Sequence, residues 1–269
     1  MRNILFSILF LSLTFFASAC ASRQVPEPAD PVGSYEELLA RMEERSSSIQ
    51  GARARAVMEY FGREGRVRVR QVLLVQKPHN LRLETLSPFD TTLSVVVSNF
   101  RELMLYDLNA DQAWAGASTA DNLAELIPLR FSPADIVSVL LGNAPMARMR
   151  EERGIWKIGW DGRRGAWRMF VPGQDGTQLE IFVRHGSWVV AGARELSRRG
   201  DVNWEVRTAD FVEVQAGDFV TEVPTRVRFL MNEERLDVSL TVSEYELNPE
   251  LDPALFELDL EGVEVCRLD

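Results

Sequence analysis

Cysteine and histidine are both scarce in this chain of 269 residues, which contains two of each. The cysteines, Cys20 and Cys266, stand near opposite ends of the sequence, so the chain has no disulfide framework of the kind that small secreted domains use. His79 and His185 each lie apart from other ligand residues at metal-binding spacing. We therefore expect no metal site and no cofactor.

Sequence motifs for catalysis are missing as well. No Gly-x-Ser-x-Gly turn that would present a nucleophilic serine occurs. The glycines around residues 161–165 stand in a charged turn and do not match a phosphate-binding loop. Acidic residues are plentiful, yet no pair of carboxylates is distinguished by spacing or context. The sequence therefore predicts a binding protein and no enzyme.

The chain has fewer basic than acidic residues, 30 Lys and Arg against 40 Asp and Glu, so its net charge is −10 at pH 7. Nucleic acid is excluded as a partner on this ground, since its binding rests largely on phosphate neutralisation. One basic cluster is a local exception. It could attract anionic headgroups or an acidic carrier protein, although the commoner arrangement is a solvated sheet face balanced by neighbouring acids. Its members are Arg53, Arg55, Arg66, Arg68 and Arg70.

The first twenty residues have the pattern of an export signal. Arg2 supplies a positive charge, residues 4–16 are almost wholly apolar, and three small residues precede Cys20. The apolar run is shorter than the about 20 residues that a membrane span needs, so residues 1–19 are predicted to be a removable signal peptide. The junction resembles the bacterial lipobox, although Ala replaces the usual Leu three residues before the cysteine. Cys20 is therefore predicted to carry the lipid that anchors the mature protein to a membrane.

A tether and one helix are predicted next. Residues 20–33 are polar and contain three prolines, which is typical of a flexible spacer, and residues 34–269 are predicted to form a single domain. Ser34 with Glu37 three residues later matches a capping box. Apolar residues then recur at helical spacing, so a helix is expected to end near residue 46.

Strands are predicted through most of the remaining chain. Arg66, Arg68 and Arg70 alternate with Val67 and Val69, which places polar and apolar side chains on opposite sheet faces. About thirteen such segments at roughly ten-residue spacing, with tight turns between them, favour an antiparallel meander over βαβ units. They are residues 50–61, 65–77, 80–87, 91–98, 101–107, 110–116, 154–160, 165–171, 177–184, 187–196, 202–214, 224–232 and 235–246.

Two short helices are predicted to interrupt the strands. The first follows Thr119 and carries Leu123, Leu126 and Ile127. The second begins at Ser132 with proline at the first helical position, and a glycine at 142 is a fitting stop. Both segments are rich in Leu, Ile and Val, so they are suited to cover the open face of a curved sheet.

This order of elements, together with two local stretches, resembles the bacterial LolA/LolB-like lipoprotein carriers and outer-membrane receptors. The first stretch, residues 77–93, contains Ser-Pro-Phe-Asp at 87–90, which is similar to the Ser-Pro-apolar-Gly turn of the receptor branch, with Asp90 in place of the glycine. The second, residues 247–263, is similar to the closing segment of the carriers, where an apolar Phe strand precedes a Gly-Val turn. Most of residues 34–265 follow the family in pattern.

The resemblance implies a mainly β fold: a strongly curved, unclosed, half-barrel-like antiparallel sheet with an N-terminal helix, lidded by short helices over a cavity for acyl chains. It implies that Phe89 lies on an exposed loop and inserts into the bilayer, whereas the alternative is a turn residue folded onto the sheet. The residues expected to line the cavity are Val67, Val69, Leu83, Leu93, Val95, Leu103, Leu105, Ile136 and Leu140.

The leading hypothesis for function is a monomeric outer-membrane lipoprotein that faces the periplasm and receives or inserts acylated cargo supplied by a periplasmic carrier protein. Ala21 follows the predicted lipid site, where Asp would suggest retention in the inner membrane. The alternatives are a structural or sensory lipoprotein that binds a protein partner, and a periplasmic glycolipid carrier. The six tryptophans bear on this choice, because they either fill the core or line the cavity.

Overall fold

A computed structural model of the chain describes residues 24–63, 65–127, 129–145, 156–172, 176–217, 219–233 and 235–268. The predicted signal peptide and the predicted lipid site at Cys20 lie outside the described residues, as do the first residues of the strand expected over 154–160. No helix in the described part of the chain is long and apolar enough to cross a membrane.

Three α-helices form where the sequence predicts them: α1 is Tyr35–Ser47, α2 is Ala120–Leu126 and α3 is Pro133–Leu140. Each begins after a hydroxyl residue, and the side-chain oxygens of Ser34, Thr119 and Ser132 accept a hydrogen bond from the backbone N–H three residues later. Gly142 takes a φ of 72° just beyond α3, a backbone conformation that glycine adopts without strain.

Fourteen strands form one unclosed sheet in the described part of the chain. The order across the sheet is β14-β6-β5-β4-β3-β2-β1-β13-β12-β11-β10-β9-β8-β7, and every neighbouring pair is antiparallel except β14 with β6. The predicted mainly β meander is therefore confirmed. The strands are β1 Gly51–Gly62, β2 Gly65–Gln76, β3 Asn80–Leu86, β4 Thr92–Ser98, β5 Glu102–Asp107, β6 Gln112–Ala117, β7 Lys157–Asp161, β8 Ala166–Pro172, β9 Gln178–Arg184, β10 Val190–Leu196, β11 Val202–Ala216, β12 Phe219–Met231, β13 Leu236–Leu247 and β14 Glu264–Arg267.

The main hydrophobic core lies on the face of the sheet that the helices cover, here called the inner face. Leu38 and Met42 of α1 and Ile136 of α3 pack there against side chains from both halves of the sheet. Strand β1 contributes buried alanines at 52, 54 and 56, and these small side chains leave room for α3. The Tyr245 hydroxyl of β13 donates to the Leu140 carbonyl at the end of α3, 2.6 Å away.

The outer face is covered differently in its two halves. Over β2–β6 it is apolar and lies under the C-terminal segment, where Phe256 is 1% exposed and packs on Leu74 and Leu251. The segment around Phe256, expected as a strand, is a 3₁₀ helix (Pro253–Phe256), since Pro253 lacks a backbone donor and the Asp252 carboxylate caps Ala254. The segment then ends in β14, which the sequence analysis missed.

Over β8–β11 the outer face carries ion pairs instead. The Glu180 carboxylate is buried between the guanidinium groups of Arg168 and Arg194. The Glu205 carboxylate lies 3.2 Å from Arg164 and 2.6 Å from Arg207. Two guanidinium partners offset the cost of burying each carboxylate, so this half of the outer face requires no covering segment.

The described part of the predicted tether, residues 24–33, contacts the domain. The Val25 N–H donates to the carbonyl of Gly162 at 2.7 Å, and the indole of Trp160 donates to the Val25 carbonyl at 2.9 Å. Asp30 lies 3.2 Å from the His185 ring, and Val32 is buried in the core. The spacer between Cys20 and the first contact with the domain is therefore short.

Arg45 joins α1 to the end of α3. Its guanidinium donates to the carbonyls of Leu141 and Gly142, to the Asn143 side chain at 3.0 Å and to the Glu222 carbonyl at 2.7 Å. Burial lowers the pKa of Arg45 to about 10, so the group remains charged at neutral pH. A cation at the C-terminus of a helix also interacts favourably with the helix dipole.

Replacing Arg45 by Leu is expected to lower the free energy of unfolding by about 3 kcal/mol, because four buried acceptors lose their donor. Urea unfolding at pH 7, followed by tryptophan fluorescence, measures the change. Arg41→Leu on the same helix is the control, since Arg41 is half-exposed, makes long ion pairs at 4.0 Å and lies 5.9 Å from the centroid of the Trp188 ring. It should shift stability by less than about 0.5 kcal/mol. Equal losses in both variants would contradict the bridging role of Arg45.

Candidate functional site

Antiparallel order places alternate turns at the same end of the sheet. Three of the turns at one end are the β1–β2 turn after Gly62, the β3–β4 turn at residues 87–91, and the β12–β13 turn after Met231. Phe89 is in the second of these turns, and we call this end of the sheet the Phe89 end. The turn that carries Phe100, between β4 and β5, lies at the opposite end.

A pocket of about 820 Å³ lies between the inner face and the short helices. Its volume is within the range of small-molecule sites, about 300–1,000 Å³. The sheet side comes from β1–β3 and β12–β13, and the helix side from α2, α3 and the loop between them. The lining residues are Met58, Tyr60, Arg63, Val67, Gln71, Leu83, Ala124, Glu125, Leu126, Ile127, Leu129, Arg130, Ile136, Leu140, Phe229, Glu233, Leu236, Val238 and Leu240.

The pocket wall is apolar, and charge is confined to its rim. Arg63, Glu125, Arg130 and Glu233 are exposed, and they contribute two charges of each sign. Arg63 is in the β1–β2 turn and Glu233 is in the β12–β13 turn, so the pocket extends to the Phe89 end. Such a site suits a long apolar ligand whose polar portion remains near the rim.

Aromatic side chains fill the other half of the inner face. Trp204 packs edge-on against Phe131 with ring centroids 5.0 Å apart, and Phe131 packs on Phe229 at 5.4 Å. Trp167 is 2% exposed in the same core. No tryptophan lines the pocket among the described residues. Five of the six tryptophans therefore lie in or beside the β7–β11 half, and the sixth, Trp114, is on β6. Leu, Ile, Met and Val provide most of the lining of the open half.

The structure brings four of the nine predicted cavity residues to the pocket: Val67, Leu83, Ile136 and Leu140. Val69 lies half-buried on the same face of β2, between Val67 and Gln71. Leu103 and Leu105 belong to the inner-face core without lining the pocket.

Leu93 and Val95 are not brought to the pocket. Val95 packs with Val97 and Met104 on the outer face, under Leu258 and Leu260, and strand alternation puts Leu93 on that same face. Leu83 pairs with Val96, which is the inner-face residue of β4. Residues 95–97 are all valine, so the sequence pattern could not decide which parity faces the helices.

Several residues that line the pocket were not predicted from the sequence. Met58 and Tyr60 share the parity of the buried alanines of β1, a signal that period-two alternation could have shown. Leu236, Val238 and Leu240 alternate clearly in β13, but only the pairing of β13 with β1 brings them to the pocket. Gln71, which is 6% exposed, gave no sequence signal of a buried position.

The β3–β4 turn projects Phe89 into solvent. The side chain is 90% exposed, so it is not folded onto the sheet. The Ser87 hydroxyl accepts hydrogen bonds from the N–H groups of Phe89 and Thr91 at 3.2 and 3.1 Å. Asp90 has a φ of 62°, a conformation that glycine favours and aspartate tolerates, which accounts physically for Asp at the glycine position of this turn.

Arg70 fixes this turn to β2. Its guanidinium donates to the carbonyls of Ser87 and Pro88 and lies 3.1 Å from the Asp90 carboxylate. The other members of the basic cluster also face acids. Arg53 pairs with Glu246, Arg55 with Glu244, and both Arg66 and Arg68 with Glu59. The five arginines thus share four carboxylates, and the cluster is a solvated sheet face paired with neighbouring acids.

Residues that would hold a metal ion do not come together in the described part of the chain, where no group of three His, Cys, Asp or Glu side chains has suitable geometry. Cys266 is half-buried in β14, and its sulfur accepts a hydrogen bond from the Gln112 amide at 3.2 Å.

No protein-family model and no curated protein sequence matches this chain. Solved structures do match it. A DUF1329 family protein from Desulfovibrio piger has a TM-score of 0.59 at 13% identity, over 85% of this chain and 98% of that one. A putative outer membrane lipoprotein-sorting protein domain from Vibrio parahaemolyticus has a TM-score of 0.56 at 13% identity, over 83% and 97%.

A LolA superfamily protein from Nitrosomonas europaea is also similar, with a TM-score of 0.54 at 12% identity over 84% of this chain and 99% of that one. At such low identity, these matches establish the fold. The chain has the LolA-like fold: an unclosed sheet with helices over one face and an apolar pocket between them. The resemblance noted in the sequence is confirmed at this level, and the receptor branch stays a prediction.

If the pocket binds an apolar ligand, a bulky side chain introduced at its rim should block that binding. Val67→Trp is expected to weaken binding of a fluorescent fatty acid about tenfold, which corresponds to ~1.4 kcal/mol, because the indole would occupy the pocket. Val67 is 47% exposed, so the larger side chain can be accommodated without disrupting the core.

The matched control is Val212→Trp. Val212 is 42% exposed on β11 and does not line the pocket, so this variant should bind the probe as the unmodified chain does. Similar losses in both variants would show that the probe binds elsewhere.

Proposed function

We propose that this protein is a lipid-anchored outer-membrane lipoprotein that holds acyl chains in its pocket and receives or inserts acylated cargo at the periplasmic face of the membrane. The observation that carries the proposal is the apolar pocket of about 820 Å³ that extends to the same end of the sheet as the exposed Phe89. The acyl chains would bind by burial alone, at about 0.8 kcal/mol for each methylene, so no cofactor is needed.

The fold supports the same proposal. The neighbour from Vibrio parahaemolyticus is described as a putative outer membrane lipoprotein-sorting protein domain, and that from Nitrosomonas europaea as a LolA superfamily protein. A protein that accepts cargo at a membrane requires a supplier, for which a periplasmic carrier with a similar pocket is suited. In this role the protein is a monomer with one pocket.

Phe89 is the proposed membrane-insertion residue. A phenylalanine that is 90% exposed loses apolar contact with water when it enters a bilayer, and burying such a side chain contributes about 1.5–3 kcal/mol. Arg70 holds the turn through three hydrogen-bonded or ionic contacts, so little conformational freedom is lost on insertion. The insertion would place the rim of the pocket close to the membrane surface.

The anchor restricts how the molecule sits on the membrane. Val25 contacts the β7–β8 turn, which lies at the end opposite to Phe89. Val25 is five residue steps from Cys20 in the sequence, so even a fully extended connection could reach at most about 18 Å. For the lipid and Phe89 to enter one membrane, the strands must lie along its surface, or residues 24–33 must detach from the domain. We propose that the strands lie along the membrane.

Mass spectrometry of organic extracts tests for cargo. The chain from residue 21 contains every described residue, and when purified without denaturant it should carry phospholipid or acylated peptide. The Val67→Trp variant should be depleted of this lipid and Val212→Trp should not. A chain that is free of lipid and also fails to bind a fluorescent fatty acid would overturn the carrier proposal and favour the partner-binding alternative.

Vesicle binding tests Phe89. Phe89→Ser should weaken cosedimentation of the same chain with phosphatidylethanolamine–phosphatidylglycerol vesicles by about tenfold or more, because the apolar contact with the bilayer is lost. Phe100→Ser is the control, since Phe100 is 78% exposed on a turn at the opposite end. An equal effect of the two substitutions would argue against insertion through Phe89.

A further inference from the structure

A row of polar side chains crosses the inner face next to the pocket. Gln71 of β2 pairs with Thr85 of β3, Thr85 pairs with Ser94 of β4, and Ser94 pairs with Asp107 of β5. They share the face of Leu83, because each stands two residues from an inner-face residue of its own strand. The Asp107 carboxylate caps the turn that follows it, so the three neutral members are the ones considered below. Directly opposed side chains have Cβ atoms about 4.5–5.5 Å apart, so Gln71 and Ser94 are roughly 10 Å apart.

The neighbouring row, one step further from the Phe89 end, is entirely aliphatic. It consists of Leu73, Leu83, Val96 and Leu105, which pair in that order across β2–β5. Thr85 and Ser94 stand within two residues of the strand ends that flank the Phe89 turn. On β3 and β4 the polar row therefore lies between the aliphatic surface and the Phe89 end, whereas on β2 the apolar Val69 and Val67 follow Gln71 toward that end.

Gln71 is the member of the row that lines the pocket, and it is only 6% exposed. Its side chain makes no hydrogen bond to any residue that the structure describes, and its amide atoms are not among the fully buried unpartnered ones, so they remain accessible from the pocket. An amide offers two donor hydrogens and one acceptor oxygen, and here both kinds of group are available to a ligand. The hydroxyls of the half-buried Thr85 and Ser94 are likewise without a partner within the described ranges.

The chemistry of the row selects the kind of group that it can hold. Gln71, Thr85 and Ser94 are neutral, so they suit a neutral acceptor such as a carbonyl better than a carboxylate or phosphate, which would require a cation. The pocket arginines, Arg63 and Arg130, are at the exposed rim. An acyl ester carries such a neutral carbonyl directly beside a long apolar chain, and the apolar lining around Gln71 suits that chain.

We propose that Gln71 donates a hydrogen bond to the ester carbonyl of an acyl chain bound in the pocket, with Thr85 and Ser94 extending the polar contact, so that the protein prefers ester-linked lipids to ether-linked ones. This inference rests on the proposed function and names the chemical class of its ligand. Ester-linked diacylglyceryl groups occur in phospholipids and in acylated cysteine, and both sources share the carbonyl that the row recognises.

Paired competitors test the preference directly. Diester and diether phosphatidylglycerol with the same chains are each used to displace a fluorescent fatty acid from the chain starting at residue 21. The diester should bind about tenfold more tightly than the diether, as one hydrogen bond in a buried site predicts. A diacylglyceryl-cysteine peptide and its diether analogue form the second arm. The affinities of the two diesters are then compared, and the one that binds more tightly, phospholipid or acylated peptide, identifies the source of the ligand.

Gln71→Leu should bring the ester-to-ether ratio close to one, even if the added apolar surface strengthens binding of both lipids. Thr85→Val, a smaller change in the same row, should lower the ratio partly and provides a second variant if Gln71→Leu does not fold. Gln178→Leu is the matched control, because Gln178 is half-buried on the outer face of β9 and its side chain also forms no hydrogen bond with a described residue. It should leave the ratio unchanged.

The outcomes separate this inference from the proposed function. If the unmodified chain binds both lipids of each pair equally, or if Gln71→Leu keeps the preference, the carbonyl contact is refuted while lipid binding stands. If no lipid and no fatty acid binds, the proposed function fails and this inference fails with it.

Discussion

The pairing of β1 with β13 is the contact on which the rest of the molecule depends. It runs from Ala52 opposite Leu247 to Phe61 opposite Asp237, and it joins two sheet halves that are distant in sequence. Small alanines along β1 let α3 lie close to this seam, and the Tyr245 hydroxyl holds the end of that helix. Without the seam, the walls of the pocket would belong to two separate sheets, since β1–β3 form one side and β12–β13 the other.

The two halves of the inner face are packed differently. Bulky aromatics such as Trp204 and Phe131 fill the β7–β11 half with edge-on packing. Over β1–β5 the covering helices have only seven and eight residues, which is too short to fill the space, and the pocket remains. Arg45 ties the end of α3 to α1 through the backbone carbonyls of Leu141 and Gly142. A filled half of the inner face therefore adjoins an open half.

Polar groups near the pocket are placed unevenly along the sheet. Gln71 of β2 lies between the aliphatic residues around Leu83 and two further apolar residues, Val69 and Val67, that extend toward the Phe89 end. Charged residues such as Arg63 are confined to the rim. Gln71 is therefore a neutral polar group set among apolar side chains of the pocket.

Local features were predictable from the sequence, because they depend on neighbours a few residues away. Hydroxyl caps marked the starts of all three helices, alternation marked thirteen of the strands, and the turn at 87–91 was recognised with Asp90 in the glycine position. Which strands pair, and which face of β4 meets the helices, depends on contacts across the whole chain. Leu93 and Val95 therefore lie outside the pocket, and Gln71 inside it is revealed only by the tertiary structure, since burial of a polar residue is decided by what packs around it.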